Sequence, residues 1–398
     1  MRLRGLAVLL AFVACSTAPA AVRAEPHARP PAVAACSDFG RSFFQPPGVD
    51  ACVKLGARLR FDVGYEPRLV RSDAAYASST RATLGLDART PTQAGLISTT
   101  LRLTFERAPG SEWAGRVPDL EYAAIEWAGF TAGRATSFFD RPFSMGSATL
   151  MGGGVNGRGT DRGSVNLLAY EFAPLPGWRA GASVEDGVER RVGVAGAWER
   201  GPRWPDLVLT LAREREWGLW RTALALHQTR PDAPGRADTW GYAVQTTYDV
   251  RVPYLADTTR VRAQTSAGVG ASDYTGWGYA RVGAFAPRTA DVWLGPRGWA
   301  AARTWASSTA LIHQWTPALR VSAFTQTGVQ IAWPYGPSAR IWAVGANAVW
   351  RSRAGLEAGA ELAFQRARLL APPAGAPAPQ PTRDSAWLAR IRLQADAW

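Results

Sequence analysis

Lysine occurs once in these 398 residues, at Lys54, and histidine, methionine and cysteine occur three times each. His27, His227 and His313 lie far apart along the chain, so no set of ligands with metal-site spacing can be drawn from them. No metal and no cofactor is expected. Beyond residue 24 no apolar run approaches the ~18 residues of a spanning helix, and the mean hydropathy is −0.13, which excludes a helical membrane protein. Runs of five or six like charges are also missing. The formal charge is +13, but the arginines stand singly or in pairs from Arg2 to Arg392, without the concentrated basic footprint of a nucleic-acid surface. No Gly-x-Ser-x-Gly elbow and no paired histidines support a hydrolase, so no enzymatic activity is expected. The glycine-rich stretch around 146–163 lacks the Gly-Lys-Ser/Thr ending of a phosphate-binding loop.

Residues 1–24 read as a secretory signal. Arg2 and Arg4 form a basic start, Leu6 to Ala14 an apolar core, and Val22-Arg23-Ala24 a small-residue cleavage site. Removing them takes away three arginines and no acid, leaving 42 basic against 32 acidic groups. Cys15 leaves with the signal. Cys36 and Cys52 then remain as an even pair in an oxidising compartment and are expected to form one disulfide within a segment 25–53.

What the sequence has in abundance is period two. In Ala57-Arg58-Leu59-Arg60-Phe61-Asp62-Val63-Gly64-Tyr65 one face is apolar and the other charged. The same pattern returns at Leu101–Glu106, Leu356–Gln365 and Leu388–Gln394. Strands are predicted near 54–65, 79–91, 94–107, 119–128, 130–137, 164–173, 177–186, 205–214, 218–229, 239–250, 258–271, 299–313, 317–329, 339–350, 354–366 and 385–398. Many exceed the roughly five or six residues of a globular sheet and suit a tilted crossing of a bilayer, which takes about 9–11. Short connections alternate with long ones such as 138–163, 187–204, 272–298 and 367–384. The expectation is an all-β fold, a transmembrane antiparallel β-barrel of about 16 strands over 54–398, with tight turns on the periplasmic side and long loops outside. Trp127, Trp220, Trp315, Trp342 and Trp350 fall toward strand ends, where such rings prefer the membrane interface. The proline-rich stretch from Ala371 to Pro381 reads as an exposed loop.

Several segments resemble the alphaproteobacterial general porins. Cys36-Ser37-Asp38-Phe39-Gly40, Phe43-Phe44, Pro47-Gly48-Val49-Asp50 and Cys52-Val53-Lys54-Leu55-Gly56 are similar to that family's opening. The run from Glu126 to Asp140 resembles the strand-turn-strand that leads into its third loop, with weaker similarity at Asn166–Tyr170, Trp204–Asp206, Ala223–His227 and Ala343–Asn347. The resemblance implies a sixteen-stranded homotrimeric barrel in the outer membrane of a Gram-negative bacterium. It further implies a third loop folded into the lumen, here 137–163, whose glycines permit a close backbone path. Trp398 departs from the pattern: it shares parity with Arg390, Arg392 and Gln394 rather than with Trp387, Ala389, Ile391 and Leu393, so either a bulge intervenes near Ala395 or recognition by the assembly machinery is weaker.

Such a barrel selects solutes by bore and by the charges lining it. Parity places Arg58, Arg60, Arg102, Arg260, Arg262, Arg390 and Arg392 inward with Asp62, Glu106, Glu357 and Glu361, and the third loop adds Asp140, Arg141, Arg158, Asp161 and Arg162. The cationic surplus predicts weak anion preference for small hydrophilic solutes and ions, with outer-membrane lipids around the barrel. The alternative for these charges is that they pair with one another and brace the loop. The alternative for the whole chain is an adhesin or receptor barrel without an open pore.

Overall fold

An alternating sheet with one oily and one charged face has no stable flat form in a membrane, because its two edges would present unpaired backbone groups to hydrocarbon; closing the sheet on itself removes both edges. The computed structural model of the chain describes residues 34–40, 42–65, 75–108, 118–141, 148–150, 164–195, 198–232, 238–277, 289–295, 298–375 and 382–397. Among them sixteen long strands form the barrel. These are β1 Cys52–Tyr65, β2 Tyr76–Thr92, β3 Gly95–Arg107, β4 Asp119–Trp127, β5 Phe130–Thr136, β6 Ser164–Phe172, β7 Trp178–Glu185 and β8 Asp206–Arg215, followed by β9 Gly218–Thr229, β10 Thr239–Arg251, β11 Thr259–Val269, β12 Arg303–Gln314, β13 Leu319–Ile331, β14 Ser338–Arg351, β15 Leu356–Ala371 and β16 Arg383–Ala397. Each pairs antiparallel with the next, and β16 returns to β1, from Ala389 opposite Tyr65 to Ala397 opposite Ala57.

Turns at one end are tight: two residues separate β2 from β3, β4 from β5 and β8 from β9. The connections at the other end are long, and no α-helix occurs among the described residues. Short 3₁₀ turns at Gly187–Arg190 and Asp273–Thr275 sit inside those long connections. Ahead of the barrel, Ala34–Ala35 pairs with Phe44–Gln45, which joins the edge of β1 at Phe44 opposite Val53. The Cα atoms of Cys36 and Cys52 stand 5.7 Å apart with their sulfurs at bonding distance.

The two faces are sorted as the alternation requires. Leu59 is 60% exposed and Ile391 61%, whereas Asp87, Gln245, Asp249 and Glu361 are buried inside. Aromatics gather toward both ends: Phe130, Tyr170 and Phe172 stack near the tight turns, and Trp342, Phe364 and Trp387 pack together toward the long connections.

Two details correct the predicted strands. The run 299–313 is not one strand: Gly298–Ala301 pairs back on Val292–Gly295, and β12 begins only at Arg303, after Ala302. Ala302 bonds from its N–H to Asp291 O at 2.9 Å and accepts from Gly270 N–H at 2.8 Å, so pairing switches from a loop hairpin to the barrel without breaking the alternation. Strand β15 continues past 366 to Ala371, and β14 meets it with a register shift between Ser338 and Ala339. The pairing of β16 runs unshifted through Ala397, so no bulge stands near Ala395. Residues 1–24, expected to be a signal, and Trp398 lie outside the described residues.

Candidate functional site: the barrel lumen

After β5 the chain turns inward. Ser137, Phe138, Phe139 and Asp140 are all buried, held in a turn by Asp140 N–H and Arg141 N–H donating to Ser137 O at 3.0 and 3.1 Å. The inward side chains of other strands catch this turn. Glu185 of β7 accepts from Phe138 N–H at 2.8 Å, and Arg221 of β9 donates to the carbonyls of Phe138 and Phe139. Arg141 donates to Thr136 O and to the Tyr122 hydroxyl and lies over the Phe138 ring, 4.7 Å from its centroid.

Seven positions further on, the same connection is fastened to a different wall. Asn347 of β14 donates to Ala148 O at 2.7 Å. Leu150 N–H donates to Glu361 of β15 at 2.6 Å, and Leu150 O accepts from Arg392 at 2.8 Å and Arg390 at 3.3 Å, both on β16. One connection is therefore bonded to β7 and β9 on one side of the lumen and to β14, β15 and β16 on the other.

A second knot fixes where the turn begins. Arg190 is fully buried and makes ion pairs with Asp140 and Asp273, its guanidinium 4.7 Å from the Tyr274 ring centroid. Burial alone would lower its pKa, but the carboxylates of Asp140 and Asp273 outweigh it and hold the group above its ordinary value, fixed as a cation. Tyr274 donates to Asp206 at 2.6 Å, and Asp206 also meets His227 Nδ1 at 2.8 Å. Burial first, then the Asp206 charge, push the Tyr274 hydroxyl well above its usual pKa, so it stays a donor. Arg190, Asp273 and Tyr274 were not among the residues picked from sequence, and Asp206 entered only within the resembling segment Trp204–Asp206, with no role given to it; an Asp and an Arg in separate connections carry no periodic signal.

The wall arginines read from parity are mostly met by acids. Arg58 pairs with Asp396 at 2.7 Å, Arg392 with Asp62 at 2.7 Å, and Arg102 with Asp87 at 3.5 Å. Arg260 and Arg262 share Asp249, each at 2.7 Å, while Glu106 pairs with Arg81 and Glu357 with Arg351. Arg60 donates to the neutral amide of Gln394 at 2.8 Å. Asp140 and Arg141 sit at the loop's start. Arg158, Asp161 and Arg162 lie outside the described residues.

A closed barrel with an apolar outside and a charged inside, crossed by one of its own connections, defines an outer-membrane channel barrel. Comparison with known proteins gives the particular family: the chain belongs to the porin subfamily, which it matches over residues 19–372, and its place is the outer membrane of a Gram-negative bacterium. It is 28% identical over 148 residues to y4fJ of Sinorhizobium fredii, a protein named for the outer membrane, a match spanning 35% of this chain and 43% of that relative's length. Among solved structures it is similar to the outer membrane channel DcaP of Acinetobacter baumannii, with a TM-score of 0.67 and 16% identity over 87% of this chain and 97% of that one. An anion-selective porin from Comamonas acidovorans gives 0.54 and 13%, covering 87% and 99%. The trimer form of the outer membrane protein OmpT of Vibrio cholerae gives 0.53 and 10%, covering 88% and 100%. At these identities the likeness shows the fold.

Proposed function

We propose that this protein is a general-diffusion porin, a homotrimer whose water-filled barrels pass small hydrophilic solutes and ions by passive diffusion. Residues 137–163 form its constriction loop, and the channel weakly prefers anions. The observation that carries the reading is the fastening of one connection to both sides of the lumen, through Phe138 and Asp140 at its start and Ala148 to Leu150 further along. A loop held that way narrows a bore without closing it and stands its charges against the arginines of the wall. Glu361, Arg390 and Arg392 act partly as its struts, so the selectivity left over is small; Arg60 and the two arginines sharing Asp249 supply the cationic excess. Cys36 and Cys52 form a disulfide that clips the N-terminal segment to β1, and residues 1–24 are a cleaved signal. The barrel performs no bond chemistry and uses no cofactor.

Planar-bilayer recording of the purified protein tests this. The expected record shows conductance steps in groups of three and, in a salt gradient, a reversal potential of anion sign. Liposome swelling with sugars of graded size should show a cutoff; no swelling with any sugar would assign the barrel to adhesion or reception instead.

A further inference from the structure

A cluster of arginines stands on the outer side of the wall, the wrong side for a channel. Arg340 of β14, Arg366 and Arg368 of β15 and Arg383 of β16 occupy outward, exposed positions at the end of the barrel that carries the long connections. The register sets Arg340 directly opposite Arg368 and Arg368 directly opposite Arg383, with Arg366 opposite Trp342 one pleat deeper. Neighbouring strands lie about 4.8 Å apart, so this is a row of three like charges across three strands. Facing like charges destabilise a sheet.

Among the described residues none of the four has an acidic partner, whereas Arg58, Arg102, Arg260, Arg262 and Arg392 on the inner face each meet a carboxylate. The outward neighbours are Leu370, Trp342 and Trp387. Arg340, Trp342, Arg366, Ala367, Arg368 and Leu370 together line an open depression of about 310 Å³. Trp342 and Trp387, on either side of Phe364, mark the level at which aromatic rings meet the edge of the hydrocarbon. The arginine row lies one pleat beyond Trp342, roughly 6–7 Å along the strand, at the depth of headgroups.

We propose that this row binds the phosphate groups of glycolipid headgroups in the outer leaflet. Guanidinium forks take phosphate oxygens in pairs; a diphosphorylated headgroup laid across β14 to β16 neutralises the row while its acyl chains descend over Trp342 and Trp387. The inference rests on the reading that the long connections face outward from the cell.

The test uses the full protein in detergent, wild type and the R340Q/R366Q/R368Q/R383Q variant, with diphosphoryl lipid A as the probe and native mass spectrometry as the readout. Wild type is expected to hold diphosphoryl lipid A at least tenfold more tightly than the variant does, and at least tenfold more tightly than it holds the dephosphorylated lipid. Millimolar inorganic phosphate should not displace it. Equal retention by wild type and variant overturns the proposal, as does displacement by free phosphate. A change in oligomeric state without a change in lipid retention overturns it too, by giving the row to a protein neighbour. Should the fourfold variant fold poorly, R340Q/R368Q removes the facing pair at half the charge change, and retention is expected to fall at least threefold. Two controls separate this idea from those beneath it. Single-channel conductance of the variant should equal that of wild type, because the row lies outside the lumen. A cysteine placed by Ala374→Cys should react with an impermeant maleimide on intact cells; no reaction would reverse the orientation and remove the site from the outer leaflet.

Discussion

Arg190 concentrates the cost and the use of burying charge. Removed from water, its guanidinium is held by the carboxylates of Asp140 and Asp273 and by the face of Tyr274. Arg190→Ala would leave two buried acids without their cation, a change that typically costs about 3–5 kcal/mol. Because Asp140 lies at the start of the inward connection, the expected outcome is a lower unfolding temperature together with noisier single-channel currents. Quiet currents in this variant would mean that the ion pair does not hold the loop. Nothing in the sequence near position 190 announces the role. The partners stand 50 and 83 positions away, in connections where side chains follow no period. Parity, by contrast, made Arg58, Asp62 and Arg392 legible as inward residues, but it did not reveal that they are matched to Asp396 and to each other.

Elements were legible where the alternation had the expected polarity, apolar outward and charged inward, and became obscure where it did not. The predicted strand ends at 366 whereas β15 runs on to Ala371, and over that stretch Arg366 and Arg368 fall in step with the lipid-facing residues while Ala367 and Leu369 fall in step with the lumen. The period persists and the chemistry is inverted. Where the turn after β5 meets the wall, fit matters more than period. An added Cβ at Gly181 would stand 3.1 Å from the Phe138 ring and 3.0 Å from Thr210 Oγ1. Gly181→Val is therefore expected to unseat Phe138, at about 1–3 kcal/mol of overpacking, and to raise single-channel conductance as the loop start moves. Unchanged conductance would show that Phe138 does not set the bore. Ahead of the barrel, Cys36 and Cys52 span a separation of 16 residues. Closing a loop of that size is worth about 3 kcal/mol by chain entropy. Replacing both with serine should lower the unfolding temperature by a few degrees while leaving conductance intact; lost conductance would place the clip within the pore's working parts.

At the scale of the molecule, the sheet is a ring joined at one seam. The last strand meets the first, and the join is stitched from inside by Arg58 to Asp396, Arg60 to Gln394 and Asp62 to Arg392, pairs 330 to 338 positions apart in the chain. None of these contacts forms until both ends of the polypeptide are present, so they report the final act of assembly rather than an early one. Fifteen strands would leave β1 and β15 with bare backbone groups toward hydrocarbon, a state lipid does not tolerate. A chain stopped after Ala371 should consequently yield no narrower pore but no pore at all, recovered as aggregate or degraded, which heat-modifiable gel mobility of the extracted membrane would reveal. Biogenesis of this protein is thus all-or-nothing: quality control need only inspect a single junction to know that the whole circle is sound.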